Sequence, residues 1–198
     1  MQLRLFQFIA RTNVEGPGAR ACIQVQGCPI HCAGCALPQT WPADGGLLVE
    51  ADALIEQILS ESAIEGVTFL GGEPFFQAGP LAYIGRRVKE HNLSVVTFTG
   101  YLLEAIQSAN RNDYNELLAV TDLLIDGPFK RHQVEFVRPW VGSSNQRFHY
   151  LTDRYAQRPE EIASTPNRIE VRLKPDGRIF INGLAAHEDM RALISSTR

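Results

Sequence analysis

The sequence predicts an α/β fold on a largely parallel sheet, on three observations. Between about residues 50 and 126, short apolar runs alternate with stretches of helical periodicity. Four loops bearing Cys, Gly or Pro each follow directly on one of those runs. Near the end, Lys174-Pro175-Asp176-Gly177 separates two alternating runs, which marks a β-hairpin.

Taken in order, residues 2–9 alternate loosely and predict a first strand. Asn13 to Gly18 is a loop punctuated by Gly and Pro. Ala21-Cys22-Ile23-Gln24-Val25-Gln26 predicts a strand leading into a cysteine loop. Ala53, Leu54, Ile58 and Leu59 fall at helical spacing within residues 50–62. Val67-Thr68-Phe69-Leu70 predicts a short buried strand, followed by a helix over about 79–91 and a strand over 94–99. Helices over about 101–109 and 113–119 precede a strand over 122–126.

Strands alternating with helices imply crossover units, which are nearly always right-handed. The sheet therefore curls toward a barrel or an open wound sheet. In either case the loops at the carboxyl ends of the strands build the site. Four loops sit there: the cysteine loop, Gly71-Gly72-Glu73-Pro74, Thr99-Gly100-Tyr101 and Asp126-Gly127-Pro128. Residues 152–167 are polar, carry Pro159 and Pro166, and read as a connecting loop. The runs at 168–173 and 178–181 make the hairpin, and about 186–196 reads as a helix. The division expected is a core domain over 1–151 and an extension over 152–198 packed on it.

The chain has 198 residues, 44% hydrophobic, with net charge −3. That suits one compact domain with a core, or one with a small appendage. A nucleic-acid binder needs a basic face, which this balance does not suggest. No apolar run approaches the roughly 20 residues of a membrane span. The start, Met1 to Phe6, shows no basic leader before an apolar core and cleavage site. The expectation is a cytoplasmic protein without a nucleic-acid or membrane partner.

Three of the four cysteines fall in Cys28-Pro29-Ile30-His31-Cys32-Ala33-Gly34-Cys35. A disulfide framework spreads its cysteines to close loops, whereas so tight a cluster binds metal. Four thiolates complete an ordinary 4Fe–4S cluster. Three leave one iron open, as a catalytic metal site requires. Structural zinc held by Cys28, Cys32, Cys35 and His31 is the alternative, made awkward by the adjacency of His31 and Cys32. Cys22 lies in an apolar strand and reads as a core residue.

The C-x3-C-x2-C spacing resembles the signature of the radical S-adenosylmethionine superfamily. More narrowly, the chain resembles the activating proteins of anaerobic ribonucleotide reductase, a single-cluster type within the glycyl-radical enzyme activases. The likeness rests on Glu15-Gly16-Pro17-Gly18, Gln26-Gly27-Cys28-Pro29, Gly71-Gly72-Glu73-Pro74, Thr99-Gly100-Tyr101, Asp126-Gly127-Pro128-Phe129 and Gly142 to Arg147, in that order.

The resemblance implies a partial (β/α) barrel of the radical S-adenosylmethionine type with a C-terminal β-hairpin and helix. It implies Cys28, Cys32 and Cys35 as catalytic cluster ligands and S-adenosylmethionine as cofactor. Gly71, Gly72, Glu73 and Pro74 would meet its methionine moiety, the glycines by letting backbone approach closely. Thr99, Asp126, Ser144 and Asn145 are polar candidates for its ribose or carboxylate, or for substrate; as ordinary residues they would serve turns and caps. The activity implied is reductive cleavage to a 5′-deoxyadenosyl radical that installs a glycyl radical on a partner, anaerobic ribonucleotide reductase. A flavodoxin- or ferredoxin-type protein would supply the electron. An enzyme modifying another peptide or a small molecule, and a zinc-stabilised binding module, are the other classes. The five histidines carry no role in this chemistry. Trp41, Tyr101 and Trp140 are candidate aromatic anchors for a partner, or core residues.

Ala36 and Leu37 after the third cysteine are apolar where such activases often carry polar residues, and the hairpin extends beyond the smallest of them. Both departures put the substrate in question and leave the cluster reading intact.

Overall fold

The computed structural model describes residues 1–173 and 176–185. Seven strands form one sheet in the spatial order β3-β1-β2-β4-β5-β6-β7. They are β1 (Gln2–Thr12), β2 (Arg20–Val25), β3 (Leu47–Glu50), β4 (Gly66–Gly71), β5 (Ser94–Phe98), β6 (Leu123–Asp126) and β7 (Arg147–Tyr150). The central four, β2, β4, β5 and β6, run parallel, while β1, β3 and β7 are antiparallel to their neighbours. The sheet is open at β3 and β7 and does not close into a barrel.

Helices α1 (Ala51–Ser60), α2 (Ala78–Lys89), α3 (Leu103–Ser108) and α4 (Asn112–Val120) fill the crossovers. α1 spends Leu54, Ile55 and Ile58 on the sheet, and α2 spends Leu81, Ile84 and Val88, the 3–4 spacing that lines one helical face. Successive strand residues point to opposite faces. Val95 and Leu124 thus join the helical side of the core. Val96, Leu123 and Ile125 meet Val141, Tyr155 and Ile162 on the other side. Cys22 is fully buried in β2, as its apolar setting suggests.

Residues 152–167 differ from the loop expected. They hold α5 (Asp153–Ala156) and α6 (Pro159–Ala163), each a single turn and so too short to show periodicity. The Thr152 hydroxyl caps the first, accepting from Arg154 N at 3.3 Å, and Pro159 opens the second. Edge strands β3 and β7 also lie outside the sequence expectation. At four residues each, neither presents a full alternation.

The hairpin appears as β8 (Ile169–Leu173) and β9 (Ile179–Gly183), a separate two-stranded sheet. Part of its turn and the helix expected over about 186–196 lie outside the described residues. The hairpin docks where β1 ends. Glu170 accepts from Asn13 N at 2.7 Å and Thr12 Oγ1 at 2.9 Å, and Glu15 accepts from Asn182 Nδ2 at 3.0 Å and Gly183 N at 2.9 Å. That is the amino end of β2, opposite the end that carries the cysteine loop. The hairpin therefore does not border the cysteine loop.

Candidate active site

The four loops expected to converge do so at the carboxyl ends of the parallel strands. β2 delivers the cysteine loop, which is pinned from below. Gly27 N donates to Thr40 O at 2.8 Å and Cys28 N to Trp41 O at 3.1 Å. The Gln26 amide donates to Gln39 O at 3.1 Å and Pro42 O at 2.8 Å. Positive φ at Gly27 (92°), His31 (51°) and Gly34 (87°) turns the chain back on itself three times. At His31 this is an unusual, strained state for a residue with a Cβ.

All four cysteines are free thiols; Cys28, Cys32 and Cys35 are half-buried. Cys35 N donates to Cys32 O at 3.1 Å, and Leu37 N points to Cys35 Sγ at 3.4 Å. Burial pushes the thiols of Cys28 and Cys32 up. Backbone N–H groups of Ile30 and His31 oppose this for Cys28, and that of Phe129 for Cys32. The neighbouring cysteines push in the same direction as burial, so the three sulfurs share one electrostatic neighbourhood. Three thiols on one loop, each able to take its own iron, fit a 4Fe–4S cluster with one open corner. The zinc reading needs the His31 ring turned toward the three sulfurs as a fourth ligand. The His31 ring instead stacks on Trp41, centroids 4.7 Å apart.

Gly71 and Gly72 lie where expected, but the close approach they permit is to protein backbone. A methyl group on Gly72 would meet the Gly27 carbonyl oxygen at 2.4 Å, and one on Gly71, at φ 109°, would meet Val25 N at 2.6 Å. Glu73 N donates to that same Gly27 oxygen at 2.9 Å. The turn is thus fitted against the cysteine loop. Pro74 is buried and begins a short 3-10 turn, Pro74–Gln77.

Glu73 is fully buried. Its carboxylate accepts from Phe75 N (2.9 Å), Thr99 Oγ1 (2.8 Å) and Gly100 N (2.9 Å). Burial drives its pKa to about 7 against the pull of those three donors. Glu73 therefore clasps the loop after β4 to the loop after β5. Thr99 is spent on the same clasp, also accepting from Tyr101 N at 3.1 Å. Ile30 of the cysteine loop packs on Gly100, where a methyl group would come within 2.7 Å of its Cδ1.

Asp126, at the end of β6, is also fully buried. It accepts from Leu103 N at 2.7 Å, opening α3, and from Arg147 Nε and Nη2 at 3.0 and 2.5 Å. Burial opposes ionisation, but these donors hold its carboxyl below the usual range. Ser144 is exposed, with its backbone N donating to Gln133 O at 2.8 Å. Asn145 donates to Pro128 O at 2.8 Å, while its buried Oδ1 has no hydrogen-bond partner among the described residues.

Two features escaped the sequence. A cleft of about 460 Å³ opens beside Cys28 between the His31–Trp41 stack and Phe76. Phe129 wedges between Gly34 and Gly142, within 3.2 Å of a methyl group on either. Trp41 and Phe129 were named from the sequence, but isolated aromatics carry no spacing signal, so the stack on His31 and the wedge between two glycines appear only in the fold. Of the candidate anchors, Trp41 borders the cleft, Tyr101 is half-buried against the core, and Trp140 packs on Phe148 in the second core cluster.

No helix among the described residues is long and apolar enough to cross a membrane. A family model described as a 4Fe–4S single cluster domain matches residues 14–149. The anaerobic ribonucleoside-triphosphate reductase-activating protein of Enterobacteria phage T4 is 32% identical over 148 residues, covering 71% of this chain and 89% of that protein. The protein of the same name from Haemophilus influenzae is 30% identical over 156 residues, covering 74% and 97%. A pyruvate formate-lyase-activating enzyme from Clostridium pasteurianum is 32% identical over 118 residues, covering 57% of this chain and 46% of that enzyme.

Proposed function

Because the chain belongs to the 4Fe–4S single cluster domain family, among radical S-adenosylmethionine activating proteins, we propose that it installs a glycyl radical on an anaerobic ribonucleotide reductase. The observation that carries this reading is the three-thiol loop at the carboxyl ends of four parallel strands. Cys28, Cys32 and Cys35 hold the cluster. When bound, that cluster supplies the electron that splits S-adenosylmethionine into methionine and a 5′-deoxyadenosyl radical.

The chain's own residues supply position and exclusion. Gly71 and Gly72 set the loop after β4 against the cysteine loop. Glu73 and Thr99 fix the next loop to it. Pro74 opens the short turn after Glu73 and would border the cofactor's amino-acid end, and Asn145 would meet the cofactor or the target. Ser144 is exposed beside it, and Asp126 holds the β6 end in register rather than reaching outward. A flavodoxin- or ferredoxin-type protein is the electron donor, and the setting is cytoplasmic.

The test mixes anaerobically reconstituted protein, S-adenosylmethionine, a reductant and the reductase of the same organism. A glycyl-radical doublet in electron paramagnetic resonance is the expected result, absent when any of the three cysteines is replaced. Release of 5′-deoxyadenosine with another peptide or metabolite, and no doublet with the reductase, would overturn the target and leave the superfamily chemistry.

A further inference from the structure

We infer that the Lys130–His132 turn, together with the apolar strip Val134–Val137, is the docking surface for an acidic protein that delivers the electron to the cysteine loop. The inference rests on the cluster reading above and adds where the reductant lands.

The turn is unusual in its charge. Most basic side chains of the described residues are already paired, as with Arg138 on Glu135 at 2.7 Å and Lys89 on Asp122 at 2.6 Å. Lys130, Arg131 and His132 are exposed, and their side chains make no hydrogen bond or ion pair among the described residues. They are also consecutive, in a chain of net charge −3. Directly beyond them Val134, Phe136 and Val137 are 50%, 37% and 86% exposed. A cationic rim beside an exposed apolar strip is the composition of a protein–protein contact surface.

The turn is also rigid and sits on the cysteine loop. Lys130 N donates to Ser143 Oγ at 3.1 Å, Gln133 N to Lys130 O at 2.9 Å and Ser144 N to Gln133 O at 2.8 Å. Phe129, one residue before, lays its ring on Gly34. The Arg131 stem reaches within 3.5 Å of a methyl group placed on Gly34. Gly34 lies between Cys32 and Cys35, so a protein docked here stands against the ligand loop itself. None of the residues from Lys130 to Val137 lines the cleft beside Cys28. That placement favours an electron donor over the target protein, which must present a backbone glycine to the cofactor.

The step makes and breaks no bond. One electron passes from the donor's reduced flavin or iron–sulfur centre, which is oxidised, to the cluster, which is reduced. Complementary charge raises the rate of encounter and makes it fall with salt.

The test is stopped-flow reduction of the reconstituted, cluster-loaded protein by a reduced flavodoxin of net negative charge, with titanium(III) citrate as a small-molecule control. The wild-type rate is expected to fall steeply as salt rises. The charge-reversed Lys130→Glu/Arg131→Glu protein should be slower by about tenfold or more at low salt, with a rate that no longer falls as salt rises and instead climbs as the repulsion is screened. The neutral Lys130→Gln/Arg131→Gln protein should lie between. Iron content and reduction by titanium(III) should match wild type, which excludes damage to the loop. Wild-type rates with flavodoxin in both variants would overturn the proposal. So would a variant reduced normally by flavodoxin that fails to form the glycyl radical, since the surface would then serve the target. A wild-type protein that binds no cluster would instead defeat the cluster reading itself.

Discussion

The α-carbon of Gly72 faces the carbonyl oxygen of Gly27 so closely that a methyl group would sit 2.4 Å from it. The turn after β4 and the cysteine loop are therefore one mechanical unit. Gly72→Ala should lower iron incorporation as well as binding of S-adenosylmethionine, and Gly72→Val should do so more severely, because the obstruction is backbone and cannot swing away. Iron analysis and equilibrium binding on the same sample check this. Full iron content with only cofactor binding lost would show that the turn and the loop are independent.

Single replacements Cys28→Ala, Cys32→Ala and Cys35→Ala should each abolish the brown 4Fe–4S chromophore, about four irons per chain in the reconstituted protein. Cys22→Ala should keep it. Cys22 is fully buried in β2, so its loss should cost about 1–2 kcal/mol of stability as a small core cavity. Absorbance near the charge-transfer bands and urea unfolding separate the two effects.

Glu73 gives a pH dependence of defined sign. Its carboxyl is held at about 7 by burial, above the ordinary Glu value of about 4.3. Below that ordinary value both folded and unfolded chains carry the proton, and the folded state has no penalty. As pH rises from there to 7 the unfolded chain ionises first, so stability declines, by on the order of 3 kcal/mol in all. Glu73→Gln should flatten this slope between pH 5 and 8 while lowering stability at pH 5, since one amide N–H would face a donor. Urea midpoints at the two pH values decide it, and an unchanged slope in the variant would refute the assignment.

Arg147 joins β7 to β6 through the buried Asp126, and reaches Glu104 at 2.9 and 2.7 Å at the start of α3. Removing the guanidinium leaves a buried carboxylate with the Leu103 N–H at 2.7 Å and His149 Nε2 at 3.0 Å as its close partners. Arg147→Met should therefore cost about 3 kcal/mol, or roughly 6–12 °C in Tm. Asp126→Asn/Arg147→Met should recover part of the loss, because no charge is then stranded. Calorimetry of the two proteins is the measurement; equal Tm values would show that Asp126 is not dependent on Arg147.

The hairpin should be separable from the chemistry. Glu170→Ala removes the acceptor for Thr12 and Asn13, loosening β8–β9 at the amino end of β2. Faster proteolysis within residues 164–185 is expected, with iron content unchanged. Loss of the cluster in this variant would mean that the two ends of the sheet communicate.

The central strands were legible because buried parallel strands are short and apolar, bounded by Gly and Pro, as in Val67–Gly72 and Leu123–Gly127. The cysteine loop was legible because its spacing is chemical and local. What the sequence withheld depends on contacts distant along the chain. Gly71 and Gly72 read as space for a ligand, yet their neighbours are Val25 and Gly27, more than forty residues earlier. Glu73 read as an acceptor for the cofactor, yet its burial and its three donors from Phe75, Thr99 and Gly100 appear only on folding. Tyr155 and Ile162 sat in a polar stretch with no periodicity, and pack in the second core cluster.

Arg20 sets a limit on shortening this chain. Its guanidinium is fully buried and bonded to Pro17 O at 2.6 Å, Thr68 Oγ1 at 2.8 Å, Val67 O at 3.0 Å and Tyr155 OH at 3.0 Å, with no carboxylate in direct reach among the described residues. A negative charge is relayed through Tyr155, whose hydroxyl also donates to Glu65 at 2.7 Å. Tyr155 lies past residue 149, where the family match stops. A protein trimmed to the matching segment would keep every cysteine and still take from the buried Arg20 its Tyr155 partner and the relay to Glu65. For anyone choosing where to end an expression clone, the cut belongs beyond both Tyr155 and Ile162, however neatly the motifs finish before them.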